Sequence, residues 1–427
     1  MPVPDTLSAI ATQTQRQVAH WVQAASRLAL DDLASVEAWG HLERYLGLSV
    51  RRHLQGVVDR LQAEARALTA LQAAAATPAG LGDVNRRLLA FEQQYLRAET
   101  TLDFFADAIN VRTNNQVAAL LRACDTLAHR SMAQVLDAIG KPTPVALTYL
   151  DKGRGASILK AGLRLWDGGA TCPVAVIKVT RHNLLRPTAL IHEAGHQVAH
   201  IAGWNDELST TLSQALLQHG AASGLAQVWA AWASEIAADA YAFVHTGFAS
   251  IAALHDVLAA GPALAYRYLP GDPHPISHLR VQLGVALCRH AFGNAPADSP
   301  WDALEQAWLA LHPITLAEPE VRDIVEASLP LLPLLAQTVL DQPLHAFGGR
   351  ALSAVVPPAR VSPAALHGLA EQLGPALFTS AHWLWSEPLR ILGLTGLRLA
   401  ESPREFQPLL ELQQQSMLRL GGALQTS

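Results

Sequence analysis

His192 and His196 stand four residues apart in the run His192-Glu193-Ala194-Gly195-His196. On a helix, four residues turn through about 400°, so both imidazoles leave one face about one turn apart. Two neutral imidazoles placed that way can each give a nitrogen to one Zn²⁺ at about 2.0–2.1 Å. Glu193 follows the first imidazole, where its carboxylate can reach a water on that metal. The expected chemistry is hydrolysis. Zinc lowers the pKa of a bound water from near 16 towards about 7, and Glu193 takes the proton as general base and later returns it.

A catalytic zinc needs a third protein ligand and an open fourth position. Glu235 is the candidate, in Trp232-Ala233-Ser234-Glu235-Ile236-Ala237-Ala238-Asp239. Helical spacing puts Asp239 on the same face. Like charges at that spacing repel, and acids flanked by Ile236, Ala237, Ala238, Tyr241 and Phe243 need partners. Glu235 on the metal and Asp239 on the outer N–H of a ligand histidine satisfy both, and the second contact fixes the tautomer. His200, His219 and His245 are weaker alternatives as third ligand.

A chain with 18 His in 427 residues holds this five-residue pattern by chance about 0.03 times, so its context must carry weight. Pro187 suits a first helical turn and Gly203 the residue after a helix end. Gly195 in mid-helix costs about 1 kcal/mol relative to Ala. That cost makes sense where the helix is packed tightly or leaves room above a metal. Further on, Tyr268, His274 and Arg280 gather in a Pro-rich loop that turns into a helix. They are candidates to donate to a tetrahedral oxyanion or to hold a substrate carboxylate. Read plainly, the same run is a turn with a capped helix and a solvated arginine. Arg112 to Asn115 reads as a turn with capping residues and no further role.

The elements that must position these groups are mostly helices. Apolar residues recur every three or four positions through 5–140, as at Leu88, Phe91 and Tyr95 and at Val117, Leu120, Leu121 and Cys124. Breaks fall at 77–80 and 140–144. Runs 145–150, 156–165 and 174–180 read as three short strands, with Gly153, Gly155, Gly168, Gly169 and Pro173 between them. The short turns predict antiparallel pairing. From Pro187 the pattern is helical again. The expected fold is mainly α with a small antiparallel β-sheet (α+β). The expected division is a helical region 1–140, a zincin-like catalytic domain 141–295 and a helical region 296–427.

Composition excludes several classes. Net charge is −5, with 31 Lys+Arg against 36 Asp+Glu, and makes no case for nucleic acid. The three cysteines, Cys124, Cys172 and Cys288, lie far apart and suit a reducing compartment rather than a thiolate zinc site. Residues 1–17 show no signal-peptide pattern. The apolar stretch 324–340 is interrupted by Glu326, Pro330 and Pro333, so no membrane span is expected. The cytoplasm is the default location.

The sequence HEAGH followed by a downstream Glu-x-x-x-Asp helix resembles the gluzincin metallopeptidases, the thermolysin-like clan, over about residues 145–290. The resemblance implies a zinc metallopeptidase acting on a peptide or protein substrate. It implies His192, His196 and Glu235 as zinc ligands, Glu193 as base and Asp239 as support for a ligand histidine. It implies that Val174–Thr180 is the edge strand that pairs with the substrate backbone. Metzincins are excluded because Ala199 and Ala202 stand where HExxHxxGxxH needs glycine and histidine. The AAA+ zinc proteases share HEAGH but carry a phosphate loop, which this chain lacks. A zincin-fold regulatory or scaffold protein, or a metallohydrolase of a non-peptide amide, stays open. The intact Glu193 favours catalysis, since a structural site needs no base.

Overall fold

The computed structural model describes residues 6–153, 156–160, 172–293 and 299–422. The chain is mainly helical with a small, mixed, three-stranded sheet. Its backbone packing forms two compact units, Met1–Thr113 with Leu159–Val176, and Asn114–Ile158 with Ile177–Ser427.

The first unit is built on long helices. Thr6–Ser26 packs against Val50–Ala74 and Pro78–Asn110. The periodic residues Val57, Leu61 and Leu68 of the second of these helices and Leu81, Leu88 and Phe91 of the third are all buried. The break at 77–80 is a helix start: Thr77 accepts from the Gly80 amide and Pro78 occupies the first turn.

The second unit holds the residues of chemical interest. Helix α1 (Asn115–Leu136) begins where the Asn114 side chain accepts the Gln116 and Val117 amides, which accounts for the capping turn read at Arg112–Asn115. It packs on strand β1 (Val145–Asp151). Buried Asp125 ties the two by accepting from the Thr148 backbone amide at 2.6 Å and its hydroxyl at 2.8 Å. The composition break at 140–144 therefore lies between two elements of one unit, because α1 has its apolar stripe against β1.

β1 is followed by β2 (Ser157–Leu159) and β3 (Val174–Thr180), in the spatial order β1-β3-β2. Two expectations change here. The sheet is mixed rather than antiparallel. Consecutive strands β1 and β2 are not a hairpin, since β3 lies between them, so short turns did not dictate the pairing. Val174–Thr180 is also the central strand, not an edge. Its backbone is hydrogen-bonded on both sides, and both of its faces are buried apart from half-buried Lys178. Residues 161–165 of the expected second strand, and Gly155, Gly168 and Gly169, lie outside the described residues.

Helix α2 (Thr188–Ala202) carries the HEAGH run and α3 (Trp204–Gln218) follows it at once. Gly203 ends α2 in the left-handed conformation, φ 73°, with its N–H on the Ala199 carbonyl. α4 (Ala233–Thr246) packs along α2. The contact is close because Gly195 has no side chain. A Cβ there would lie 3.0 Å from Tyr241 Cβ and 3.1 Å from Ala238 Cα. Tight packing, the first of the two reasons offered for this glycine, is what the structure shows. Helix α5 (Ser277–Phe292) packs on α4 and on α6 (Leu332–Asp341).

Among the described residues one segment, Pro319–Asp341, has the length and apolar composition of a membrane span. Half of it is buried, it is broken at residues 329–331, and α6 packs on α3 and α5, as in a core helix. No clear membrane span results.

Gly195→Ala gains helix propensity of about 1 kcal/mol and loses more through overpacking at Ala238 and Tyr241. The expected outcome is a net loss of about 1–2 kcal/mol in urea unfolding. Unchanged or increased stability would show that α2 and α4 can move apart freely.

Candidate metal centre

α2 and α4 bring three donors together. His192 Nε2 lies 3.4 Å from Glu235 Oε2, and His196 Nε2 lies 3.2 Å from Glu235 Oε1. The ligating atoms of the three residues all lie within 4.8 Å of one another. Zinc bonds of 2.0–2.1 Å in a tetrahedron put neighbouring ligand atoms about 3.3–3.4 Å apart, so the two spacings suit a shared ion. Among the described residues this is the one group of three His, Cys, Asp or Glu donors so placed.

The outer nitrogens are held as well. His192 Nδ1 lies 2.8 Å from Asp239 Oδ1, and His196 Nδ1 lies 3.3 Å from the Ser234 hydroxyl. With Nδ1 donating to Asp239, the His192 Nε2 lone pair is left facing Glu235. Asp239 thus lies where the helical spacing put it. Ser234 was not anticipated. Its place next to Glu235 and one turn before Ala238 was the available signal.

Arg280 departs from the role expected for it. Its guanidinium is buried and donates through Nε to Asp239 Oδ2 at 2.6 Å and through Nη2 to Asp239 Oδ1 at 2.8 Å. Nη2 also lies 3.1 Å from Glu235 Oε2. A guanidinium engaged on two carboxylates is a poor partner for a substrate carboxylate. It positions Asp239 and Glu235 instead. The available signal was an arginine set between Leu279 and Val281, which needs anionic partners once buried.

His274 lies at the rim, 62% exposed, with Nε2 3.9 Å from Glu235 Oε1. Asp272 orients it, accepting from both its backbone amide at 3.0 Å and its Nδ1 at 2.6 Å. Tyr268 is half-buried and meets Trp232 edge-on at 6.3 Å. His200 and His219 are exposed beyond the cluster and His245 is buried near the far end of α4, so none joins the three donors.

Charge balance decides what the cluster can hold. Burial alone raises the Glu235 carboxyl, but hydrogen bonds from His192 and His196 and the Arg280 charge hold it well below the usual range. Burial likewise opposes ionised Asp239, and Arg280 overrides it. Glu235 and Asp239 set two carboxylates against one guanidinium, a surplus of negative charge that ionised Glu193 enlarges. A cation fits that surplus. Without one, His192 itself balances it. Burial disfavours its charged form, yet bonds to Asp239 and Glu235 push its pKa up to about 9. Glu193 is different. Burial is the leading effect and raises its carboxyl above the ordinary value, against the opposing charges of His192 and His196.

Two outcomes are expected. A folded His192 that titrates near 9 is protonated at pH 7, and a metal requires the neutral ring. Zinc uptake at pH 7 should release about one proton from His192, and affinity should climb with pH up to about 9. Calorimetry in buffers of different ionisation enthalpy reads the proton count, and a count of zero contradicts the balance above. Asp239→Asn should weaken zinc binding by about 10–100-fold in competition with a chelator; equal affinity would deny Asp239 any role in the centre.

In comparisons with known proteins, the chain matches no family model, no curated protein and no solved structure.

Proposed function

We propose that the chain is a zinc-dependent metallopeptidase resembling the gluzincins. One observation supports this above the others: two histidine Nε2 atoms and both oxygens of Glu235 converge at 3.2–3.4 Å, with Glu193 buried beside them. His192, His196 and Glu235 would hold the ion and leave one tetrahedral position to solvent or substrate. Bound there, zinc supplies Lewis-acid polarisation of a carbonyl and acidification of a water.

The chain's own residues do the rest. Glu193, buried beside the cluster with its carboxyl raised by burial, accepts a proton from the attacking water. It passes that proton to the leaving amine. Asp239 and Ser234 keep the two imidazoles aimed inward. His274, exposed at the rim and held by Asp272, is placed to donate to the oxygen that gains charge as water adds. With β3 enclosed, pairing with a substrate backbone would fall to one of the two edge strands, β1 or β2. Ser157 on β2 is exposed.

Glu193→Gln should retain stoichiometric zinc and lose about 10²–10⁴-fold in hydrolysis of a peptide library. Full activity in a clean Glu193→Gln preparation would sink the mechanism. Stoichiometric zinc in wild-type protein with no peptide cleaved would transfer the reading to a non-peptide amide or to a binding role.

A further inference from the structure

α4 carries Glu235 near one end and His245 near the other, ten residues on and about 15 Å along the axis. His245 is 2% exposed, and among the described residues neither of its ring nitrogens has a hydrogen-bond partner. A neutral imidazole offers one donor and one acceptor. Leaving both unused in the interior is uncommon, and a bound molecule that supplies partners is one remedy. Burial, assisted by the charge of Arg360, pushes its pKa down to about 3, so the ring is neutral under ordinary conditions.

His245 is among the residues that line a cavity of about 360 Å³, within the size range of small-molecule sites. The fold builds this cavity through Gly247, which ends α4 with φ 61°. A Cβ there would lie 2.5 Å from the Val361 carbonyl oxygen. That approach brings the turn Pro358–Val361, and Arg360 with it, against the helix end.

Three arginines and two acids line the cavity: Arg130, Arg360 and Arg390, with Asp137 and Glu387. Glu387 lies between Arg360 at 3.2 Å and Arg390 at 3.6 Å. Arg390 is further occupied by the Arg360 and Ala365 carbonyls. Arg130 gives Nε and Nη2 to the Trp385 carbonyl and lies over the Trp385 ring at 4.7 Å. The lining thus carries one positive charge more than negative. The remaining wall is apolar, from Val244, Val356 and Leu389.

We propose that this cavity is a second binding site, for a small organic carboxylate. Its anionic group pairs with Arg360 and Arg130, its apolar body lies on Val244, Val356 and Leu389, and a polar atom of it meets His245. A single surplus charge matches a monoanion, and the apolar wall matches an organic body rather than a bare inorganic ion. The site is separate from the metal centre and does not depend on the hydrolase reading.

The test titrates benzoate, phenylacetate, the neutral isostere benzamide and inorganic phosphate into the full chain. Binding is followed by ring ¹⁵N resonances of labelled histidine and by thermal unfolding, and His245→Asn assigns the resonance. Benzoate or phenylacetate should move the His245 signals and raise the Tm, and benzamide should do neither. Arg360→Gln, at a solvent-exposed position, should weaken the carboxylate at least tenfold without unfolding the protein. The proposal is overturned if neither carboxylate moves His245, or if benzamide binds equally well. It is also overturned if only phosphate binds, or if Arg360→Gln binds as wild type does.

Discussion

Glu235 and Asp239 are buried one turn apart on the same helix, and the surroundings of α4 are arranged around that fact. Two carboxylates in a low-dielectric interior repel each other and lose their hydration. Arg280 offsets part of the cost through a two-pronged contact with Asp239 and a shared contact with Glu235. Two imidazoles supply further hydrogen bonds. One guanidinium against these two carboxylates leaves one negative charge over, which a protonated His192 balances and which a bound cation would balance in its place. The helix α5 that delivers Arg280 is thus as necessary to the centre as the helix that delivers the histidines.

This balance holds only if α2 and α4 approach closely enough for Nε2 atoms on one to face carboxylate oxygens on the other. Gly195 sets that approach from α2, against Ala238 and Tyr241 of α4, which have no exposure. Larger residues would push the axes apart by the width of a methyl group or more. A donor set spaced at 3.2–3.4 Å would then open beyond what one ion bridges. Packing and coordination are in this sense one requirement.

Much of the His192, His196, Glu235 and Asp239 cluster was legible in the sequence because it depends on helical periodicity. Four-residue steps put His192 above His196 and Glu235 above Asp239, and no tertiary knowledge is needed for either. The pairing of the two helices was legible in outline through Gly195. The sheet was harder. Strand runs were visible, but the order β1-β3-β2 depends on which neighbours cover which edge, and local pattern carries no record of that. Arg280 was picked out for its charge and given the wrong partner, because a loop-to-helix run does not show which side of α5 is buried. Ser234 escaped notice since its hydroxyl acts through Nδ1 of a histidine 38 residues away. The cavity at His245 is built from residues between 130 and 390 and has no signature along the chain.

α4 also imposes a condition of phase. Asp239 and His245 are six residues apart, a rotation of about 600°, so they leave the helix on faces about 120° apart. Each face is matched to different neighbours, α2 and α5 for the acid, the turn at Pro358–Val361 for the imidazole. Inserting or deleting one residue between them would turn one end by about 100° against the other and unseat one set of partners. Chain length can drift in the loops around this helix. Within it, the count of residues from Glu235 to Gly247 acts as a gauge block, and relatives of this protein should vary in what fills those positions far more than in how many there are.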